Sequence, residues 1–443
     1  METLFEKYLE TVKTAETMVY SGKVFRVQGL LIESYGPQAV VGEICFFTVG
    51  SRRIMAEVAG LRGNVVQLMA YSDTTGIEVG TRVTATGHFL EVPVSPGLLG
   101  RILGPLGAPI DGKGALKAAL RYPAFAPAPP ALSRSLISTR ITTGIRVVDA
   151  LLPAGLGQRM GIFAGSGVGK STFQGMLARN TGADVNVIAL IGERGRELND
   201  FLEKSLGEEG LRRSVVIVAT SDQSSLARLR GAFVATAVAE YFRDQGMNVL
   251  LLFDSLTRLA HAQREIGLAT GEPPAQRGYT PSVFDMMPRL LERSGPAVKG
   301  SITAFYTVLV DGDDLDEPIS DKARSILDGH IVLSRALASR GHYPAVDVLN
   351  SVSRIAPDVS GVASRKAAAA VRRWIADYAA NEDAINAGAY KEGTNPALDA
   401  AIAKKNVIDA FLQQETDEKS TLAETLAGLA KIAEIEIPDG ECV

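Results

Sequence analysis

Ala164-Gly-Ser-Gly-Val-Gly-Lys-Ser171 follows a short apolar stretch, Met160 to Ala164, and opens a helix-compatible run from Thr172 to Arg179. Its glycines let the backbone turn so that successive N–H groups point at phosphate oxygens, and the start of the following helix adds partial positive charge. Gly165, Ser166, Gly167, Val168, Gly169 and Thr172 are therefore the candidate cradle. Lys170 reaches the β- and γ-phosphates, and the Ser171 hydroxyl takes a place on Mg²⁺. Ala164 stands where the commonest form of such a loop has Gly, but that position closes the strand and does not touch phosphate. The strand-loop-helix setting makes a nucleotide site the reading of this stretch.

Outward from the loop, apolar strand candidates alternate with helical stretches: Met160 to Ala164, Val185 to Ile191, Ser214 to Ala219, Asn248 to Phe253 and Ser301 to Leu309. Continuous apolar runs between helices predict an α/β domain whose parallel sheet is covered on both faces. Upstream, from Gly22 to about Val94, the pattern changes to short alternating stretches, Lys23 to Ile32, Val40 to Thr48, Arg53 to Val58 and Asn64 to Met69, which predict a small β-barrel. The break at Val92-Pro-Val-Ser-Pro-Gly97 ends it, and the Pro-rich Tyr122 to Pro130 reads as a surface connection. Leu4, Phe5, Tyr8, Leu9 and Val12 recur at helical spacing, for a helix packed on its own domain or docking a partner. After about Ser360 the chain is Ala-rich at helical spacing and predicts a helical C-terminal region ending near Ile437-Pro438. The expected domains are 1–21, 22–95, 96–355 and 356–443.

At 443 residues the chain exceeds one ordinary domain. A net charge of −4 provides no basic footprint for tracking nucleic acid. The two cysteines, Cys45 and Cys442, lack metal-ligand spacing, and the four histidines form no ligand cluster. The first residues are too acidic for a signal peptide and no apolar run reaches membrane-spanning length, so a cytoplasmic, soluble protein is expected.

Three further segments offer chemistry. Gly192-Glu-Arg-Gly-Arg-Glu197 follows the second strand candidate, at the ligand edge of a parallel sheet. A carboxylate there, Glu193, can orient or deprotonate an attacking water; from this segment alone, an ion pair of Glu193 with Arg194 or Arg196 is the slightly better reading. Asn248 to Asp254 is an apolar strand ending in an acid, the place for a carboxylate that holds Mg²⁺ through its water shell. Tyr343-Pro-Ala-Val-Asp-Val-Leu-Asn-Ser-Val-Ser-Arg354 supplies an Arg to stabilise charge on transferring phosphate, delivered from a neighbouring subunit, and a Tyr to lie against adenine. Taken alone, an Arg in a Ser-rich turn is more often a structural donor, and a Tyr before Pro more often core.

Together, the 164–171 loop, Gly192-Glu-Arg194, Phe253-Asp-Ser-Leu-Thr-Arg258 and the 343–354 segment resemble the hexameric ATPases related to the catalytic β subunit of rotary ATP synthases. Arg264-Glu-Ile-Gly-Leu-Ala269, Gly271-Glu-Pro-Pro274, Arg277-Gly-Tyr-Thr-Pro-Ser-Val-Phe284 and Pro288-Arg-Leu-Leu-Glu-Arg293 look more narrowly like the type III secretion ATPases, flagellar or injectisome. The resemblance covers nearly the whole chain. It implies a small N-terminal β-barrel, a central RecA-like P-loop domain and a C-terminal helical domain. It also implies Lys170 and Ser171 on the phosphates and Mg²⁺, and Glu193 as catalytic acid/base with Arg194 beside it. Asp254 would be the second magnesium carboxylate, Arg354 a finger acting in trans, and Tyr343 the adenine-stacking residue. Non-catalytic relatives lack the glutamate that this chain has at 193, so a homohexamer would suffice.

By the same resemblance, ATP hydrolysis drives type III export, and Gly267 to Ser282 faces the central pore. The implied partners are a stator-like regulator at the N-terminal helix, the export gate, a stalk protein and chaperone–substrate complexes. Nucleic acid is not among them, and membrane association is peripheral. The flagellar system is preferred on prevalence and the absence of an extra domain. An RNA-translocating hexamer and a rotary synthase subunit are the competing readings; the barrel segment has Phe46 and Phe47 but few adjacent Lys or Arg.

Overall fold

The computed structural model describes residues 20–117, 120–310, 312 and 314–441. The alternating stretches after Tyr20 close on themselves. Six strands form a barrel in the order Ser21–Gln28, Leu31–Tyr35, Val65–Ala70, Arg52–Arg62, Ile44–Val49 and Arg82–Ala85. Every second side chain turns inward, and Val24, Ile32, Phe47, Ile54, Val58, Leu68 and Val83 fill the interior. Lys23 to Ile32, expected as one strand, is a hairpin. Gly29 takes a φ of 57°, which a residue without Cβ adopts freely, and reverses the chain there. Val40 and Val41 are exposed, and the next strand starts only at Ile44. Apart from its last residues, the expected N-terminal helix lies outside the described residues.

The break expected at Val92 to Gly97 also needs correction. Glu91–Val94 is a strand, paired antiparallel with Leu120–Pro123 in a two-stranded sheet, so the connection at 122–130 begins in a strand too. Pro is tolerated there because both strands are edges and need no central-strand N–H.

Beyond them lies a nine-stranded sheet with the main order Val346–Ser353, Gly329–Leu333, Arg159–Ala164, Ser301–Leu309, Asn248–Asp254, Val185–Glu193, Ser214–Thr220 and Arg101–Leu103. The five expected core strands are all present and parallel. The sheet departs from wholly parallel at Val346–Ser353, which runs antiparallel on Gly329–Leu333, and at the short Gly295–Pro296. The continuous apolar runs have a plain cause: successive residues of one strand feed two different cores. Val187, Ala189 and Ile191 pack with the Ser225–Asp244 helix on one face. Ile188 and Leu190 pack with the Lys170–Asn180 helix on the other.

Three helices follow, Val362–Asn386, Pro396–Leu412 and Leu422–Ala433. The second is capped by the Asn395 side chain and the third by a Thr421/Glu424 capping box. Their apolar stripes, with Val371, Ile408, Leu412, Leu426 and Leu429, join the core on the face of the Lys170–Asn180 helix. The barrel is fastened differently. Arg230 of the Ser225–Asp244 helix grips the buried Glu57 of the barrel with Nε and Nη2, and the Tyr71 hydroxyl donates to the same carboxylate. A pair with the carboxylate buried, the guanidinium mostly covered and both carboxylate oxygens partnered resists opening, because breaking it strands a buried charge.

Candidate active site

Parallel strands deliver their C-terminal ends to one edge, and Lys170, Glu193 and Asp254 meet there. Arg159–Ala164 runs into the 164–171 loop, where Gly167 (φ 77°) and Gly169 (φ 89°) take the left-handed turns that only glycine adopts at no cost. Nothing lies within 4 Å of where a Cβ on Gly167 would stand, and Ser166, Gly167, Ser171 and Thr172 are exposed. The loop is thus open on the side where its N–H groups would receive a phosphate.

Lys170 projects from the first turn of the helix between two strand ends. Its Nζ lies 2.7 Å from Asp254 Oδ1 and 3.3 Å from Glu193 Oε1. The three side chains are 14%, 4% and 13% exposed. Burial works against the Lys170 charge, but Asp254 and Glu193 outweigh it and hold its pKa above the usual range. The Glu193 carboxyl is pushed up to about 7, first by burial, then by Asp254 and a hydrogen bond to Glu197, with Lys170 pulling the other way. Glu197 is held below the usual range by that same bond. Asp254 Oδ1 also accepts a 2.6 Å hydrogen bond from Thr307 Oγ1, on the neighbouring strand. A carboxyl titrating near neutrality beside a fixed ammonium and a second carboxylate is an arrangement suited to moving the proton of a water.

Tyr343 also converges on the loop. Its ring atoms lie 3.5 and 3.6 Å from where a Gly169 Cβ would stand. It borders a cavity of about 500 Å³, a volume suited to a base and sugar, with Phe173, Met176, Pro344 and the C-terminal residues Gln413 to Thr416. The Gln414 N–H donates to the Tyr343 carbonyl at 2.9 Å, and its side chain bonds the Gly144 carbonyl and the Arg146 N–H.

Two residues grouped with the catalytic set lie away from this cluster. Arg194 is exposed and its Nη1 lies 3.4 Å from Glu197. Arg354 lies beyond the end of Val346–Ser353, where Ser353 pairs with Gly329 at the N-terminal edge of the sheet. The loop is at the opposite edge, a full strand away, about 17 Å at about 3.3 Å per residue. Sequence reasoning did not reach Thr307, Gln413 to Thr416 or a role for Arg258, whose side chain covers Gly192 and whose buried Nε has no hydrogen-bond partner. A signal for Arg258 was available, since it closes the motif that begins at Phe253.

Among the described residues no group of three or more His, Cys, Asp or Glu side chains could hold a metal alone. Ser171 and Asp254 instead offer the small protein share that Mg²⁺ takes when phosphates and water complete its shell, so the donor set fits that ion.

A glycine-turned loop, a lysine between two buried carboxylates and a two-faced parallel sheet define a P-loop nucleotide hydrolase. Residues 144–353 match the family model of the ATP synthase alpha/beta nucleotide-binding domain, 24–87 that of its beta-barrel domain, and 362–431 that of the T3SS EscN ATPase C-terminal domain. The flagellum-specific ATP synthase of Treponema pallidum is 57% identical over 97% of both chains. The type 3 secretion system ATPase of Xanthomonas euvesicatoria is 47% identical over 98% of both. Among solved structures, the assembled ATPase EscN of the enteropathogenic E. coli type III secretion system matches with a TM-score of 0.89 at 43% identity, over 93% of this chain and 100% of that one. The chain belongs to the ATP synthase alpha/beta family, in its branch of flagellar and type III secretion ATPases, and is an ATP-hydrolysing enzyme.

Proposed function

We propose that the chain is the ATPase of flagellar type III protein export, working as a homohexamer that cleaves ATP at seams between identical subunits. The observation that carries the seam is the separation of Arg354 from its own phosphate loop by the length of a strand. An exposed guanidinium at the far edge is out of reach of its own loop and can face a neighbour, which supports the reading. In this reading the 164–171 backbone and Lys170 hold the β- and γ-phosphates, Arg258 and, by turning in from the surface, Arg194 add positive charge beside them, and the Tyr343 ring stacks on adenine. Glu193 takes a proton from water as its oxygen bonds the γ-phosphorus, and the bond to the β–γ bridging oxygen breaks to give ADP and phosphate. Ser171 and Asp254 would hold Mg²⁺, which would supply positive charge to the triphosphate. Arg354 of the adjacent subunit supports the charge spread over the equatorial oxygens.

Flagellum-specific relatives at 57% and 49% identity, against 47% for a secretion-system ATPase, support the flagellar assignment. Solved structures of assembled EscN, alone and with its central stalk EscO, support a ring with a stalk protein. The 270–280 connection between the Leu256–Ala269 and Pro281–Leu291 helices is the candidate pore loop. The other proposed partners are a stator-like regulator binding residues 1–21, the export gate and chaperone–substrate complexes. Among the described residues no helix is long and apolar enough to cross a membrane, and the proposed location is peripheral, at the cytoplasmic face. The proposed domain limits remain 22–95, 96–355 and 356–443.

The test is Glu193→Gln in purified protein and in cells. Turnover is expected to vanish while ATP binding persists, and the variant is expected not to restore flagella to a deletion strain that the native chain restores. Undiminished hydrolysis removes Glu193 from its role. Hydrolysis stimulated by single-stranded RNA redirects the assignment to the translocase.

A further inference from the structure

We infer that Gln158 is a positioning residue for Arg354, fixing the root of the guanidinium that one subunit lends to the next; this rests on the shared-seam reading above. Gln158 has 0% exposure and stands immediately before the Arg159–Ala164 strand. Its Nε2 donates to the Asp328 carbonyl at 3.0 Å and to Ser353 Oγ at 3.1 Å, and its Oε1 accepts from the Gly155 N–H at 3.0 Å. Both amide hydrogens and the amide oxygen are engaged, so the group has one satisfied orientation.

Its partners converge on the finger. The Asp328 carbonyl that receives Gln158 also receives the Arg354 N–H, at 3.0 Å. Ser353, the residue before Arg354, passes its hydroxyl hydrogen to the Pro153 carbonyl at 2.7 Å and so has one orientation as well. The Asp328 carboxylate is gripped by the next residue, Arg159, from its N–H at 3.1 Å, Nε at 3.0 Å and Nη2 at 3.1 Å. Consecutive residues thus hold both ends of Asp328. Among the described residues the Arg354 side chain itself is tied by one hydrogen bond, from Nη2 to the Arg324 carbonyl at 3.0 Å. A long, exposed side chain aims well only if its backbone cannot drift, and that backbone is set by this buried amide. The same strand ends in the subunit's own phosphate loop, so one strut runs from the ATP a subunit holds to the finger it lends.

The test uses Gln158→Met, which keeps volume and removes both donors, and Ser353→Ala, a milder change that carries the same test if the first does not fold. Rates of the assembled enzyme, affinity for a fluorescent ATP analogue, and rates after mixing with Lys170→Ala or Arg354→Ala are measured. A displaced catalytic group costs about 100-fold in rate, and a loss of that order is expected for Gln158→Met and about tenfold for Ser353→Ala, with nucleotide affinity unchanged. Either variant mixed with Lys170→Ala should regain activity, because one has an intact loop and the other an intact finger. Mixed with Arg354→Ala it should not, since both lack a working finger. The reverse pattern locates the damage in the variant's own loop and overturns the inference, as do unchanged rates. Arg354→Ala with Lys170→Ala is the reference mixture. If that pair recovers and Gln158→Met with Lys170→Ala does not, Gln158 loses its role alone; if that pair fails, the shared seam falls.

Discussion

The two edges of the central sheet carry the same kinds of residue and treat them in opposite ways. At the C-terminal edge Lys170, Glu193 and Asp254 come from three elements, lose most of their water and touch. At the N-terminal edge Arg354 keeps its water and rests on a carbonyl. The first group pairs its charges within the chain, which holds Lys170 above its usual range and leaves Glu193 pushed up to about 7. The second is a charge held ready that pairs with no carboxylate among the described residues. A subunit built this way is two half-sites back to back, and its chemistry should depend on assembly where its nucleotide binding does not.

The comparison can be broken most forcefully at Arg354. Replacement by Ala should lower turnover of the assembled enzyme by about 10³-fold or more, the range of arginine fingers, while titration with a fluorescent ATP analogue gives the native affinity. A matching loss of affinity would put Arg354 inside a self-contained site. Next in size is acidity. Glu193 must be ionised to take a proton, and with a pKa near 7 it is mostly protonated below that pH. Turnover should therefore fall about tenfold for each pH unit below about 6.5 and level off above about pH 8, whereas the Arg354 contribution, the ratio of native to Arg354→Ala rates, should not vary with pH. A flat native profile would separate Glu193 from the proton. Smaller still, Tyr343→Ala should weaken ATP binding by about 1–2 kcal/mol, about tenfold, from lost stacking on the base, and Tyr343→Phe should restore it; calorimetry reads both. Smallest is Arg146→Ala, which frees the Phe411 and Gln413 carbonyls and Glu418 behind the base cavity. A rise in KM of about threefold with kcat intact is the expected result, since a part-exposed contact contributes little.

What the sequence made legible follows the same division. The phosphate loop and five core strands stood out because burial on two faces demands unbroken apolar runs and a phosphate cradle demands glycine. Val346–Ser353 did not, because an edge strand facing water on one side carries Asp347 and the exposed Asn350, and a buried, internally bonded Ser351, among its apolar residues. Gln158 and Thr307 were invisible for another reason. A lone Gln or Thr leaves no pattern, and its role exists only where Asp328, Ser353 or Asp254 is brought alongside. The base cavity joins Tyr343 to Gln413 to Thr416 across a helical region, and nothing local in either segment announces the other. The Gly29 hairpin was missed because Leu30 and Leu31 keep the stretch apolar through the turn.

The Glu57–Arg230–Tyr71 clasp has a practical side. With the barrel tied to the Ser225–Asp244 helix by this clasp, it is expected to tilt as that helix tilts. An optical label at Val79, 72% exposed on the barrel, would act as a needle on a dial, magnifying the small rotations of the sheet beneath it as each nucleotide is turned over.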